Sequence, residues 1–144
     1  MLGGMAISFQ CTFDAVDPHL LGEFWSSVLG YQVEDVDALC REMLDAGYAT
    51  ADDVEEIDGR YRWRDGTALD DPDGAGPRVF IQRVPEQKMA KNRFHLDLRV
   101  GAERLQAEAA RLEGLGARRL YEGQQGPQHW LTMADPEGNE FCIA

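Results

Sequence analysis

Apolar and polar residues alternate at the start of the chain. Over residues 5–14, Ile7, Phe9, Cys11 and Phe13 share one face, and Ser8, Gln10, Thr12 and Asp14 share the other. That period of two predicts a half-buried strand. Asp17-Pro18 then reads as a helix start, with Asp17 as N-cap and Pro18 at the first helical position. Leu21, Phe24, Trp25 and Val28 follow at helical spacing, and Gly30 is the stop. Residues 31–33 begin a second strand. A short amphipathic helix is predicted over 36–46, with Leu39, Cys40, Met43 and Leu44 as its stripe and Gly47 as its end. Residues 48–77 carry weaker signals: a strand-like run at 61–64 and a turn-rich run at 70–74. Residues 78–84 read as a strand that Pro85 stops.

The second half repeats this order. Phe94, Leu96, Leu98 and Val100 alternate with His95, Asp97 and Arg99. A helix is predicted over 102–115, strands over 117–121, 128–134 and 140–143, and a turn over 135–139. Each half therefore reads as strand, helix, then about three strands. This predicts an α+β fold of two βαβββ modules within a single domain of residues 1–144. Module 1 spans about 1–87, including an acidic insertion at about 34–77, and module 2 spans about 88–144. A sheet covered by helices on one face leaves its polar face toward solvent or a cavity. Gln10, Thr12, His95, Asp97 and Arg99 lie on that face.

Charge narrows the partners. The 144 residues carry 14 Lys and Arg against 26 Asp and Glu, a formal net charge of −12. Nucleic acids and anionic membranes both need clustered cations, so neither is an expected partner. No run approaches the roughly 20 apolar residues of a membrane span. The first ten residues hold no Lys or Arg before their apolar stretch, a poor secretory signal, so a cytoplasmic protein is expected. Ten of the acids fall between Glu34 and Asp58 against one base, Arg41. They read either as a solvated face or as an attraction for cationic ligands. Cys11, Cys40 and Cys142 are odd in number and lack CxxC spacing, which argues against a disulfide framework or a structural zinc site.

Three segments carry a resemblance: Asp17-Pro18 leading to Phe24-Trp25 and Leu29-Gly30-Tyr31, Lys91-Asn92-Arg93-Phe94-His95-Leu96-Asp97-Leu98, and Asp135-Pro136-Glu137-Gly138-Asn139-Glu140-Phe141-Cys142. In this order and spacing they resemble the vicinal oxygen chelate superfamily of glyoxalase I, extradiol dioxygenases and bleomycin-resistance proteins. The resemblance implies that the two modules curl into a cup-shaped mixed sheet with helices on its outer face, a ligand inside and a homodimeric assembly. It also implies one divalent metal, which here would fall to Gln10, Gln82, His95 and Cys142. That set holds no carboxylate, because Cys142 stands where the family places a Glu. Hard divalent cations are usually offset by carboxylates, so no cofactor is expected. The same departure removes the base of glyoxalase I, and that reaction is not expected either.

The expected function is a glyoxalase-like protein that binds a small organic molecule. His95 and Asp97 are the candidate catalytic pair, and Gln10, Thr12, Gln82, Arg99, Trp130 and Cys142 are candidate ligand-binding residues. The alternative is a bleomycin-resistance-type protein that sequesters a cationic small molecule. Each residue also has a plainer reading: His95 as a hydrogen-bonded structural residue, Trp130 as core. Tyr61 and Trp63 form either a lid or a solvent-shielding hairpin. No phosphate loop, nucleophile elbow or HExxH is present.

Overall fold

The structure is a computed structural model and describes residues 4–144. The chain divides between Pro85 and Glu86 into two compact units. The first contains β1 (Cys11–Ala15), α1 (Pro18–Leu29), β2 (Gln32–Val33), α2 (Asp37–Asp45), β3 (Val54–Ile57), β4 (Arg60–Trp63), β5 (Gly66–Asp70) and β6 (Val79–Arg83). Its main sheet has the order β1-β6-β5-β2, and β1 runs parallel to β6. Asp17 Oδ1 accepts the backbone N–H groups of His19 and Leu20, at 3.2 and 3.1 Å. This satisfies donors that a helix start otherwise leaves free. The α1 stripe of Leu21, Phe24, Trp25 and Val28 is buried with Leu69, Val79 and Ile81. Trp25 meets Phe13 of β1 at 5.5 Å between ring centroids. Each such large side chain contributes about 1.5–3 kcal/mol by leaving water. Gly22 lets the helix approach β5: a Cβ there would lie 2.6 Å from Thr67 Cγ2.

The insertion folds as α2 plus the β3–β4 hairpin. Asp37 Oδ1 accepts the Tyr61 N–H at 2.7 Å, and the Arg41 guanidinium lies 4.7 Å from the Tyr61 ring centroid. Cys40 and Val54 close the small core beneath them.

The second unit contains β7 (Asp97–Leu98), α3 (Leu105–Leu115), β8 (Arg118–Gln125), β9 (Gln128–Ala134) and β10 (Glu140–Ile143). Its sheet order is β7-β10-β9-β8. Set β7 beside β1, β8 beside β2, β9 beside β5 and β10 beside β6, and the two orders coincide. Two open-sheeted βαβββ units in an α+β chain are thus the observed architecture. Ala109, Leu112, Leu131, Met133, Phe141 and Ile143 form the second core. The buried Asp135 holds the turn before β10, accepting the backbone N–H groups of Glu137 and Asn139 at 2.9 Å each.

Two strand expectations need correction. The first strand begins at Cys11, not at residue 5. Among the described residues of its unit β1 pairs only with β6, and that ladder starts at Cys11↔Val79. Ile7 and Phe9 therefore stand 88% and 71% exposed. The alternation over 94–100 yields strand only at Asp97–Leu98. Phe94 is exposed for the same reason: among the described residues β7 is paired with β10 alone, and their backbone ladder begins at the Leu96 C=O, which accepts the Cys142 N–H. No helix of the described residues is long and apolar enough to cross a membrane.

Candidate functional site

Strand register assembles the most reactive cluster. In the second unit Asp97 of β7 is the parallel partner of Cys142 of β10, and Cys142 is the antiparallel partner of Thr132 of β9. Directly paired residues project on the same side of a sheet, so the three side chains form a row. His95 lies two positions before Asp97, on the same face. Its Nδ1 sits 3.0 Å from Asp97 Oδ1, while Cys142 Sγ sits 3.3 Å from the Thr132 hydroxyl. The donor atoms of His95, Asp97 and Cys142 all lie within 4.8 Å of one another. Thr132 is buried, Cys142 half-buried, and His95 and Asp97 are open to solvent.

This row forms one wall of a cavity of about 860 Å³, into which Arg99, Lys91, Tyr121 and Trp130 also reach. Trp130 lies over the sheet because its cross-strand partner is Gly123: a Cβ there would fall 2.2 Å from the indole. Glu140 stands at the edge of the same cavity. Burial pushes its carboxyl up, but the Asn92 N–H and the Lys88 ammonium outweigh burial and hold it below the ordinary glutamate value of 4.5.

Gln10, Thr12 and Gln82 belong to the first unit. Gln10 Oε1 accepts from Arg78 at 3.0 Å, and its amide reaches the Thr12 hydroxyl at 3.5 Å. Gln82 donates to Asp14 at 2.9 Å. A second cavity of about 840 Å³ opens in this unit, where the insertion meets Phe80 of β6 and Arg78 just before it. Trp63, Leu39 and Met43 give it an apolar wall. Arg78 grips Glu34 through two bonds of 2.6 and 2.8 Å. That pairing holds Glu34 below the usual carboxylate range, and hydrogen bonding to Glu34 pushes Asp70 up.

The sequence pairs Asp97 with His95 on one strand face; the parallel register also places Asp97 beside Cys142, and its carboxylate folds back onto the imidazole. Thr132 went unnoticed in the sequence. The turn at 135–139 fixes the β9–β10 register, so counting outward from it would have found Thr132 opposite Cys142. The acidic stretch is also less free than its composition suggests. Glu34, Asp35, Asp37 and Glu55 pair with Arg78, Arg60, Arg41 and Arg62.

Comparison with known proteins places the chain in a family. It belongs to the glyoxalase-like domain family, whose model matches residues 10–144. Among curated proteins, none matches it in sequence. Several solved structures share the fold. A glyoxalase/bleomycin resistance protein/dioxygenase family enzyme from Burkholderia phytofirmans PsJN is 15% identical, with 93% of this chain and 94% of that chain covered and a TM-score of 0.63. A mutant of the fosfomycin resistance protein FosX from Listeria monocytogenes, in complex with Mn(II) and dihydroxypropylphosphonic acid, is 12% identical, covering 99% and 90%, with a TM-score of 0.60. FosX from Mesorhizobium loti is 14% identical, covering 99% and 91%, with a TM-score of 0.59.

The set Gln10, Gln82, His95 and Cys142 does not fit a hard divalent cation. It brings no carboxylate to offset the charge, and the Gln10 carbonyl oxygen already accepts from Arg78.

Proposed function

We propose that the chain binds a small organic molecule in the cavity of residues 86–144, with His95 as the group that engages it. The observation that carries this reading is the 3.0 Å His95–Asp97 contact in the wall of a cavity of about 860 Å³. Such a volume suits a drug-sized guest. With Asp97 holding Nδ1–H, Nε2 becomes the basic nitrogen offered to the guest, the arrangement that acid–base chemistry uses. Trp130 supplies a flat apolar surface, and Lys91 and Arg99 suit an anionic group. The phosphonic acid bound by the Listeria FosX supports an anionic group on that guest. Isomerisation of the glyoxalase I kind is not part of this reading, because Cys142 replaces the carboxylate that chemistry needs.

A thermal-shift and calorimetric screen of small organic acids, phosphonates and aromatic cations, run with chelator present, tests the proposal. Hits are expected to lose at least about tenfold in affinity in His95→Phe and several-fold in Asp97→Asn, as removal of a charge-assisted hydrogen bond implies. Hits indifferent to both substitutions would sink it. The second reading, sequestration of a cationic small molecule, draws on the other cavity, where Trp63 and Phe80 stand near Glu23, Asp53 and Asp65. Cationic hits lost in Trp63→Ala and retained in His95→Phe would select it. The protein acts as a homodimer in this proposal, since β1 and β7 are edge strands of their own sheets.

A further inference from the structure

The sheet of the first unit has a stretch of strand edge that no described residue pairs. The Arg83 N–H donates to the Asp65 C=O, and bonded pairs alternate along an antiparallel ladder. The bonded pairs of β5 and β6 are therefore Asp65 with Arg83, Thr67 with Ile81 and Leu69 with Val79. The backbone groups of Gly66 and Ala68 point to the other edge. There β2 ends at Val33, and the Glu34 N–H makes one last bond, to the Ala68 C=O at 2.9 Å, before the chain turns into α2. Among the described residues, the Gly66 N–H, the Gly66 C=O and the Ala68 N–H have no partner. Both residues are buried, and both line the cavity of about 840 Å³ between the insertion and the sheet. Buried backbone groups are almost always hydrogen-bonded, so an orphaned set facing a cavity marks a place for a ligand that completes the bonds. We propose that this cavity binds a short extended peptide carrying a basic side chain, one residue of which pairs with Gly66.

Backbone geometry is the first support. An extended residue presents its N–H and C=O to one side, and that pair matches the free acceptor and donor of Gly66. Side-chain direction is the second. Successive side chains of an extended chain point to opposite faces. The peptide residue opposite Gly66 places its side chain on the face of Gln82, where the Phe80 ring lies 3.0 Å from the point a Gly66 Cβ would take. An apolar side chain suits that position, with Trp63, Leu39 and Met43 also lining the cavity. The next peptide residue points to the face of Thr67, which lies against Gly22 of α1, one residue from Glu23. Charge is the third. Arg78 is held by Glu34, Arg62 by Glu55 and Asp65 by Arg83. Glu23 and Asp53 line the cavity with no cationic partner among the described residues, Asp53 accepting from the N–H and hydroxyl of Thr50. The unbalanced charge is negative, which selects a lysine or arginine for the second side chain.

The inference rests on the second reading above for its cavity and its cationic guest, and adds the chemical class of that guest. It is independent of the cavity in residues 86–144.

The test is titration of the isotope-labelled full-length protein with the capped dipeptide N-acetyl-leucyl-lysine N-methylamide, followed by its backbone amide signals. The Gly66 amide proton is expected to move downfield as it gains an acceptor. Replacing the leucyl N–H of the probe by an ester oxygen should weaken binding about twofold to tenfold, as loss of one hydrogen bond implies. Exchanging its lysine for norleucine should weaken binding at least about fivefold, and Glu23→Gln should shrink that difference. His95→Phe should leave the titration unchanged. Benzyltrimethylammonium, an aromatic cation with no amide, is the comparison. If it binds this cavity as tightly as the peptide, or if the ester matches the amide, the peptide proposal is overturned and the second reading stands. A Gly66 signal that no peptide moves would show that water alone satisfies this edge, and would also overturn it. Binding of neither probe would remove both readings.

Discussion

Single residues decide the shape of the cavity in residues 86–144, and Gly123 is the plainest case. The indole of Trp130 occupies the space a Cβ would need, 2.2 Å away. Gly123→Ala must therefore push the ring off the sheet, an overpacking change that costs about 1–3 kcal/mol. Urea unfolding should register that loss, and the tryptophan emission should shift because Trp130 moves toward solvent. Gly126→Ala is the control. Its neighbourhood is open and only its positive φ resists a side chain, so it should cost about 1 kcal/mol and leave the emission alone. An unchanged emission in Gly123→Ala would mean that Trp130 does not rest where the structure has it. In the sequence Trp130 read equally as cavity wall or core, and nothing local could separate the two. Its cross-strand partner, Gly123, is seven residues away across the β8–β9 turn.

At the scale of elements, the ion pairs of the first unit tie the insertion to the sheet. Glu34 follows β2 and is gripped by Arg78, just before β6. Because Arg78 lowers the Glu34 carboxyl below its ordinary 4.5, this pair stabilises the fold above that value. The contribution is lost as pH falls from 4.5 through the lowered folded value. Asp70 acts in the opposite sense. Its carboxyl is raised by hydrogen bonding to Glu34, so its protonation on acidification partly offsets the loss. Glu34→Gln should therefore melt lower at pH 7 and lose less of its melting temperature between pH 5 and 3 than the parent protein. Parallel curves for the two proteins would refute that assignment. The helices and their caps were legible in the sequence because Asp17-Pro18 and Gly30 are local signals. The β3–β4 hairpin was only half legible: residues 61–64 looked strand-like, but the other strand, Val54–Ile57, is masked by consecutive acids. Those acids are tolerated because Glu55 meets Arg62 across the hairpin, a pairing that periodicity does not encode.

For the whole molecule, what the sequence concealed was mainly non-local. Duplication of the βαβββ order was visible because it repeats turns, helix stops and alternation. The juxtaposition of Asp97 with Cys142 was not, because a parallel pair is joined through a long crossover whose length sets no register. The same reasoning explains why residues 5–10 alternate yet form no strand. Alternation states which face would be buried, and it does not supply a partner. Those residues leave Ile7 and Phe9 exposed beside β1, an edge strand of its sheet, and Phe94 exposed before the edge strand β7. Exposed apolar side chains next to the edge strands of a sheet are surfaces that second copies cover. Light scattering is therefore expected to give about twice the 16.1 kDa of one chain. The charge of −12 on each copy opposes association. Screening shortens that repulsion to about 10 Å at 0.1 M salt, so the dimer should tighten as ionic strength rises. Replacing Ile7 and Phe9 together by Lys should yield monomers that keep the parent circular dichroism. A parent protein that stays monomeric at every concentration and salt would show that these edges need no second copy.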